Sequence, residues 1–300
     1  MKKIKLWFVF TLLLLSHVQI SHAESEVKPS ILHPKGLLWK IEKPGSSISF
    51  LYGTMHVSDS QVINLSTPVE QAFMQSNHFV MEVLMTFEAT GYIAQVSFFN
   101  DGRTLKSIMA DADYKRLIAL LNKRNFIDEA IIKNMKPWVV LMLLMLPVDQ
   151  QVAGAEPLDM LLYRRASQRK IQVTGLETAQ EQVSVFESMS MQDQLWLLNR
   201  AIKEIDITDA LFPEMLKAYV ARDLARLVEI QDAFKYEDSE IDDRFMHQLL
   251  DERNVRMAKR MLPILKQGNA FIAIGALHLP AKGGVLDLLE KAGYEVTPVY

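Results

Sequence analysis

Two phrases near opposite ends of the chain end alike: Phe50-Leu51-Tyr52-Gly53-Thr54-Met55-His56 and Ile272-Ala273-Ile274-Gly275-Ala276-Leu277-His278. Each is an apolar run of strand character followed by Gly, two residues and His. With 12 Gly and 7 His among 300 residues, roughly 0.3 Gly-x-x-His matches arise by chance. One copy is therefore weak, and two copies at strand ends are much less accidental. If the two strands are parallel neighbours in one sheet, His56 and His278 meet at its carboxyl edge, the crevice where open α/β sheets place ligands. Glycine there permits a tight turn or a close approach to a ligand. Two histidines merely hydrogen-bonded at strand ends remain the plain alternative.

Three charged residues stand where charge is costly. Glu82 lies inside the apolar run Phe79-Val80-Met81-Glu82-Val83-Leu84. A carboxylate on a buried strand must be paired, hydrogen-bonded or bound to metal; on an edge strand, alternation would turn it to solvent instead. Glu177 follows Gly175-Leu176 just past another strand. It either reaches the same edge or sits in the first turn of a helix starting nearby, an end that favours anions. Arg253 falls between Leu250 and Met257 in the apolar stripe Met246, Leu250, Met257 and Met261. It either reaches a buried carboxylate or a ligand oxyanion, or it makes a salt bridge to Glu82 or Glu177 that only fixes the helix.

Two imidazoles with one or two carboxylates form a reasonable ligand set for Zn²⁺, Mn²⁺ or Co²⁺. A metal so held activates water, with a carboxylate as general base and Arg253 steadying negative charge. The sequence contains no HExxH, no GxSxG and no phosphate-binding glycine loop. His33, His78 and His247 lack supporting context and read as surface or packing residues.

The elements that must position these groups follow from pattern. Leu37 to Glu42 and Ile48 to Tyr52 read as a hairpin turned by Pro44-Gly45-Ser46-Ser47. A short helix runs to about Gln75, with Thr67 as cap, Pro68 at the first position and Glu70 completing a capping box. After the Glu82 strand, residues 104 to 169 are mostly helical. Trp138 to Leu146, wholly apolar between Pro137 and Pro147, is too short to cross a membrane and reads as a buried or partner-facing helix. Ile171 to Gly175 is a short strand. Residues 178 to 267 read as helical with breaks near Asp206 and Glu237. The chain closes with a strand at 270–274, a helix at 285–292 and a strand at 294–299. Strands at both ends around a helical middle predict an α/β fold, its central sheet built from N- and C-terminal strands with a large helical insertion.

Bulk properties narrow the function classes. Lys2, Lys3 and Lys5, the apolar run Leu6 to Leu15 and Ser21-His22-Ala23 fit a signal peptide over 1–23. A polar leader over 24–36 and one domain over 37–300 follow. Removing the signal leaves 277 of the 300 residues and, with three lysines gone, moves the net charge from −3 to −6. That balance argues against nucleic acid or an anionic membrane as the main partner. Without cysteine, disulfides, thiolate metal sites and a Cys nucleophile are excluded. The expected location is periplasmic or secreted, with no membrane span after signal removal.

At these residues the chain resembles the TraB/PrgY/GumN family, which includes the Tiki metalloproteases. The resemblance runs from about Leu37 to Val299. It rests on Leu51-Tyr52-Gly53-Thr54-Met55-His56-Val57-Ser58-Asp59, Met81-Glu82-Val83, Gly175-Leu176-Glu177-Thr178, Asp251-Glu252-Arg253-Asn254, Gly275-Ala276-Leu277-His278-Leu279 and Gly293-Tyr294-Glu295-Val296. It implies a fold distantly similar to erythromycin-esterase and haem-binding ChaN-like proteins, and a metal-dependent hydrolytic site at the two Gly-x-x-His motifs, with Tiki-like members cleaving peptides. His56 and His278 match the motif histidines, Glu82 and Glu177 its acidic positions, and Arg253 its arginine. Pro157-Leu158-Asp159 departs from an expected Gly-x-Asp. Asp159 keeps the acidic position there, while proline replaces the glycine.

The resulting expectation is an exported metal-dependent hydrolase, a peptidase by resemblance, with peptide or a small molecule as substrate. His56, His278 and Glu82 would bind a divalent metal (Mn, Co or Zn), Glu177 would act as base or further ligand, and Arg253 would stabilise charge. The alternatives are a non-catalytic binding protein for peptide, haem or metal, and a non-metal esterase-like hydrolase using histidine as base.

Overall fold

Six short runs rich in β-branched and aromatic residues pair into one sheet: β1 (Leu38–Glu42), β2 (Ser49–Thr54), β3 (His78–Val83), β4 (Gln172–Glu177), β5 (Ala270–Gly275) and β6 (Glu295–Pro298). This computed structural model describes residues 31–124, 128–146, 156–233 and 239–300. The expected signal peptide, leader residues 24–30, Pro147 and the expected break near Glu237 lie outside the described residues.

The strand order is β4-β3-β5-β2-β1-β6. β2, β5, β3 and β4 run parallel, and the β1–β2 hairpin and β6 add an antiparallel edge. The central strands are apolar throughout because both faces are covered, as parallel sheets require: β5 carries Phe271, Ile272, Ala273 and Ile274, all fully buried. Tyr52, Phe73 and Phe79 close around Phe271, with ring centroids 5.4 to 6.4 Å away. Among the described residues, the elements between β3 and β5 are helices apart from β4. The architecture is therefore α/β, with terminal strands forming the sheet and a large helical segment between them.

The apolar stretch after Pro137 forms the helix Pro137–Leu144, buried on nearly all sides. It packs against the long helix Met191–Val220, and Trp138 stacks on Phe186 at 5.4 Å. Among the described residues no helix is long and apolar enough to cross a membrane.

Two local expectations are corrected. The helix Thr67–Gln75 is preceded by Ser66, and no side chain caps it. Glu70 pairs with Arg165 across the fold instead of folding back on its own helix, since an arginine fork binds a carboxylate more strongly than one backbone N–H. The expected break near Asp206 is absent, because Met191–Val220 runs unbroken through it. Its buried face continues on both sides, through Leu198, Ile202 and Ile205 to Met215 and Tyr219, and packing outweighs local polarity in deciding helix length.

Candidate active site at the carboxyl edge of the sheet

β2 and β5 are parallel neighbours in register, Gly53 opposite Ile274 and Thr54 opposite Gly275, so both phrases deliver their histidines to one sheet edge. Each glycine has a steric reason. A Cβ on Gly53 would lie 2.6 Å from Leu279 Cδ1 and 3.1 Å from Ala276 Cα, so only glycine lets the turn after β5 close over β2. That turn, Ala276–His278, is a single 3₁₀ turn that directs His278 inward. At Gly275 the surroundings are polar: a Cβ there would stand 3.3 Å from Glu82 Oε1, 3.4 Å from His278 Cδ2 and 3.9 Å from His56 Nε2.

β3 pairs with β5 only as far as Met81 opposite Ala273. Glu82 is the next residue, and its Oε1 accepts the Gly275 N–H at 2.6 Å. Its Oε2 accepts from Arg253 Nη2, also at 2.6 Å. Glu82 is buried, 6% exposed. Burial would raise its pKa, but Arg253, His278, His56 and the Gly275 N–H hold the carboxyl far below the usual carboxylate range.

Both histidines are gripped at Nδ1. Asp159 Oδ2 lies 2.5 Å from His56 Nδ1, while Oδ1 accepts the Thr54 hydroxyl at 2.6 Å. The helix Leu158–Gln168 places Asp159 in its first turn, and its start is docked on the loop after β2 by the Leu158 N–H donating to Val57 O at 3.1 Å. Pro157 occupies the cap with φ −62° and ψ 156°, a conformation proline adopts freely. His278 Nδ1 lies 2.6 Å from Asn254 Oδ1. The Asn254 amide is oriented by its Nδ2 donating to Gly283 O at 3.2 Å, so Oδ1 faces the ring. An acceptor at each Nδ1 fixes the proton there, and each neutral ring is left with its lone pair on Nε2.

The two rings titrate in opposite directions. Burial would lower His56, but the Asp159 charge and hydrogen bond, with Glu82, raise it to about 9. Burial and then the Arg253 charge lower His278 to about 3, against Glu82.

Arg253 binds both acidic candidates. Its Nη2 reaches Glu82 at 2.6 Å and Glu177 at 2.7 Å, and its Nε reaches Glu177 at 2.9 Å. Burial would lower its pKa, and the two carboxylates raise it far above the ordinary value. Glu177 is the last residue of β4, with its other oxygen on Arg256 Nη1 at 2.8 Å. Gln182 Nε2 sits 3.3 Å from Glu82 and 3.2 Å from Glu177.

His56, His278, Glu82 and Arg253 border an open cleft of about 720 Å³, counting space continuous with solvent, and Glu177 lies behind Arg253 rather than on its wall. Tyr219, on the long helix, donates its hydroxyl to Gly53 O at 2.9 Å from the cleft's far side. His33 and His247 pair with surface carboxylates, and His78 with Thr174. Residue patterning missed Asn254, Thr54 and Gln182. Asn254 lies beside Arg253 and Thr54 inside the first histidine phrase, but neither has a spacing that announces its partner.

Among the described residues no group of three or more His, Asp or Glu side chains is arranged to hold a metal ion; His278 Nε2 lies 3.9 Å from Glu82 Oε1. The donor types nevertheless suit a divalent cation. His56 Nε2, Glu82 Oε1 and the edge of the His278 ring surround Gly275, and each ring is backed at Nδ1 by an acceptor of the kind that orients histidine ligands.

A model of the TraB/PrgY/gumN family matches residues 37–298. Among curated proteins the chain is similar to metalloprotease TIKI1 of Danio rerio, 24% identical over 86% of this chain and 62% of that protein. It is likewise 24% identical to metalloprotease TIKI1 of Homo sapiens, over 91% of this chain and 64% of the relative, and to metalloprotease TIKI2 of Xenopus tropicalis, over 86% and 59%. The chain thus spans about three-fifths of the length of the curated relatives it matches. No solved structure matches.

Proposed function

We propose that this chain, which belongs to the TraB/PrgY/gumN family, is an exported metal-dependent hydrolase acting on peptides. The observation that carries this is the pair of imidazoles with Nδ1 held by Asp159 and Asn254, with His278 Nε2 3.9 Å from Glu82 Oε1 and with His56 Nε2 and Glu82 Oε1 both within 4 Å of where a Cβ on Gly275 would stand. His56, His278 and Glu82 are the residues that would hold the metal. A divalent ion held there would supply an activated water and polarise a carbonyl. The similarity to proteins named metalloproteases supports both the metal and the peptide substrate. The basic and apolar N-terminal run supports export, to a periplasmic or secreted location.

Arg253 lines the cleft and presents fixed positive charge where an oxyanion would develop. Glu177, with its oxygens on Arg253 and Arg256, holds the guanidinium in place, and we assign it that positioning role in preference to base or ligand. Asp159 orients His56, and Asn254 fixes the His278 tautomer. In a metal-free hydrolase the base would be His278, which is neutral at neutral pH, rather than His56, whose proton the Asp159 carboxylate holds.

The test is elemental analysis of the purified protein, joined to a peptide-cleavage screen with added Mn²⁺, Co²⁺ or Zn²⁺. Wild type is compared with His56→Ala and His278→Ala. Stoichiometric metal and cleavage lost in both variants are expected; neither metal binding nor histidine-dependent cleavage would overturn the proposal. Metal or peptide binding without turnover would leave the binding-protein reading.

A further inference from the structure

The cleft has two unlike halves. Toward the sheet edge it is polar, with the two imidazoles, Glu82 and Arg253. Much of the remaining lining is aliphatic: Met215, Leu227, Leu249, Leu250 and Leu277 border the same space. These five come from four separate elements, namely the helices Met191–Val220 and Leu224–Asp232, the turn His247–Asp251 and the loop carrying His278. Four elements each contributing apolar atoms and no charge to one wall make a pocket.

The turn His247–Asp251 is π-helical, between the α-helical runs Glu240–Met246 and Glu252–Gln267. Adjacent residues on an α-helix point about 100° apart. The wider π turn narrows that angle, and both Leu249 and Leu250 line the cleft together with Arg253 one turn on. A π turn is rare inside an α-helix and recurs at functional sites. Here its consequence is to set an aliphatic pair beside the guanidinium.

We propose that this wall is a side-chain subsite, and that the peptide substrate carries a bulky apolar residue, such as Leu, Met or Phe, next to the bond presented to the polar half. The inference rests on the hydrolase reading for the identity of that bond, but the subsite can be observed by binding alone. A lysine side chain there would lose its hydration with no carboxylate among these five residues, and an acidic one would meet only Arg253, which Glu82 and Glu177 already engage. An apolar one would leave water for a surface that matches it. Discrimination by such pockets amounts to about 10- to 200-fold.

The test uses the full chain and a set of peptides built on one uncharged framework and identical except for one residue: Leu, Phe, Ala, Asp or Lys. Binding to the metal-stripped protein is read by fluorescence anisotropy, and cleavage is read separately with Mn²⁺, Co²⁺ or Zn²⁺ added. The Leu or Phe peptide is expected to bind about 10- to 100-fold tighter than the Asp peptide. Leu250→Asn should erase that preference. Leu250→Phe, which keeps the wall apolar but narrows the pocket, should move it toward Ala. Equal binding of all five peptides, or no binding of any, overturns the subsite. Preferential binding without cleavage supports the subsite while removing the hydrolase, and cleavage without preference does the reverse.

Discussion

At neutral pH His56 carries a proton that a metal must displace, whereas His278 does not. The first ring is raised to about 9, since the Asp159 carboxylate outweighs burial, and the second is lowered to about 3 by burial beside Arg253. A metal takes the neutral ring. Below pH 9, then, protons and metal compete for His56 Nε2, and apparent affinity rises about tenfold per pH unit from about 7 to 9 before levelling. His278 adds nothing to that slope, being neutral throughout. Binding at pH 7 should therefore release about one proton, measurable by titration calorimetry in two buffers of different ionisation enthalpy. Asp159→Asn removes the raising charge, so the slope should move to lower pH while affinity falls about 10- to 100-fold, the usual cost of losing a residue that orients a ligand. A flat pH profile with no proton release would contradict a His56 raised by the Asp159 carboxylate.

Strand ends decide where those side chains stand, and the two glycines predict separable effects. Gly53→Ala sets a methyl 2.6 Å from Leu279 Cδ1 and 3.1 Å from the Ala276 backbone. Only the leucine tip can yield freely, so overpacking should cost about 1–3 kcal/mol, read by urea unfolding. Gly275→Ala meets atoms at 3.3 Å or beyond, all belonging to Glu82, His278 and His56. Its stability cost should be smaller, and its main effect a loss of metal affinity. Equal effects of the two substitutions on stability would refute this division of roles. This level was the most legible in the sequence. Apolar runs ending in Gly-x-x-His declare both the strand and its terminus, and the β2–β5 pairing places both termini at one edge. What could not be read was which side chains answer across the fold. Asp159 and Asn254 contact the histidines over separations of 103 and 24 residues, and such contacts leave no period. Helix ends were misread for the same reason: Glu70 and Asp206 follow distant packing rather than their neighbours.

For the whole molecule, the helix Glu252–Gln267 is one of the pieces that join the helical segment to the sheet, and it does so with arginines. Arg253, Arg256 and Arg260 recur at i, i+3 and i+7, one helical face. They reach Glu82 at the end of β3, Glu177 at the end of β4, and the Leu176 carbonyl with Glu181 beyond it. Arg253 is the buried member, 5% exposed between two carboxylates that are equally buried. Removing one partner from a buried ionic cluster leaves uncompensated charge and costs about 3–5 kcal/mol. Arg253→Leu should lower stability by that amount in urea unfolding. The triple variant Arg253→Leu, Glu82→Gln, Glu177→Gln should regain most of it, because no buried charge is stranded, while cleavage stays lost in both. Arg253→Lys separates the two roles further: it keeps the charge but not the fork that spans Glu82 and Glu177, so stability should fall less than in Arg253→Leu. If Arg253→Leu costs under about 1 kcal/mol, within the range of ordinary surface substitutions, the guanidinium is not what ties the helix to the sheet. The apolar stripe of Met257 and Met261, both fully buried, would then hold it alone.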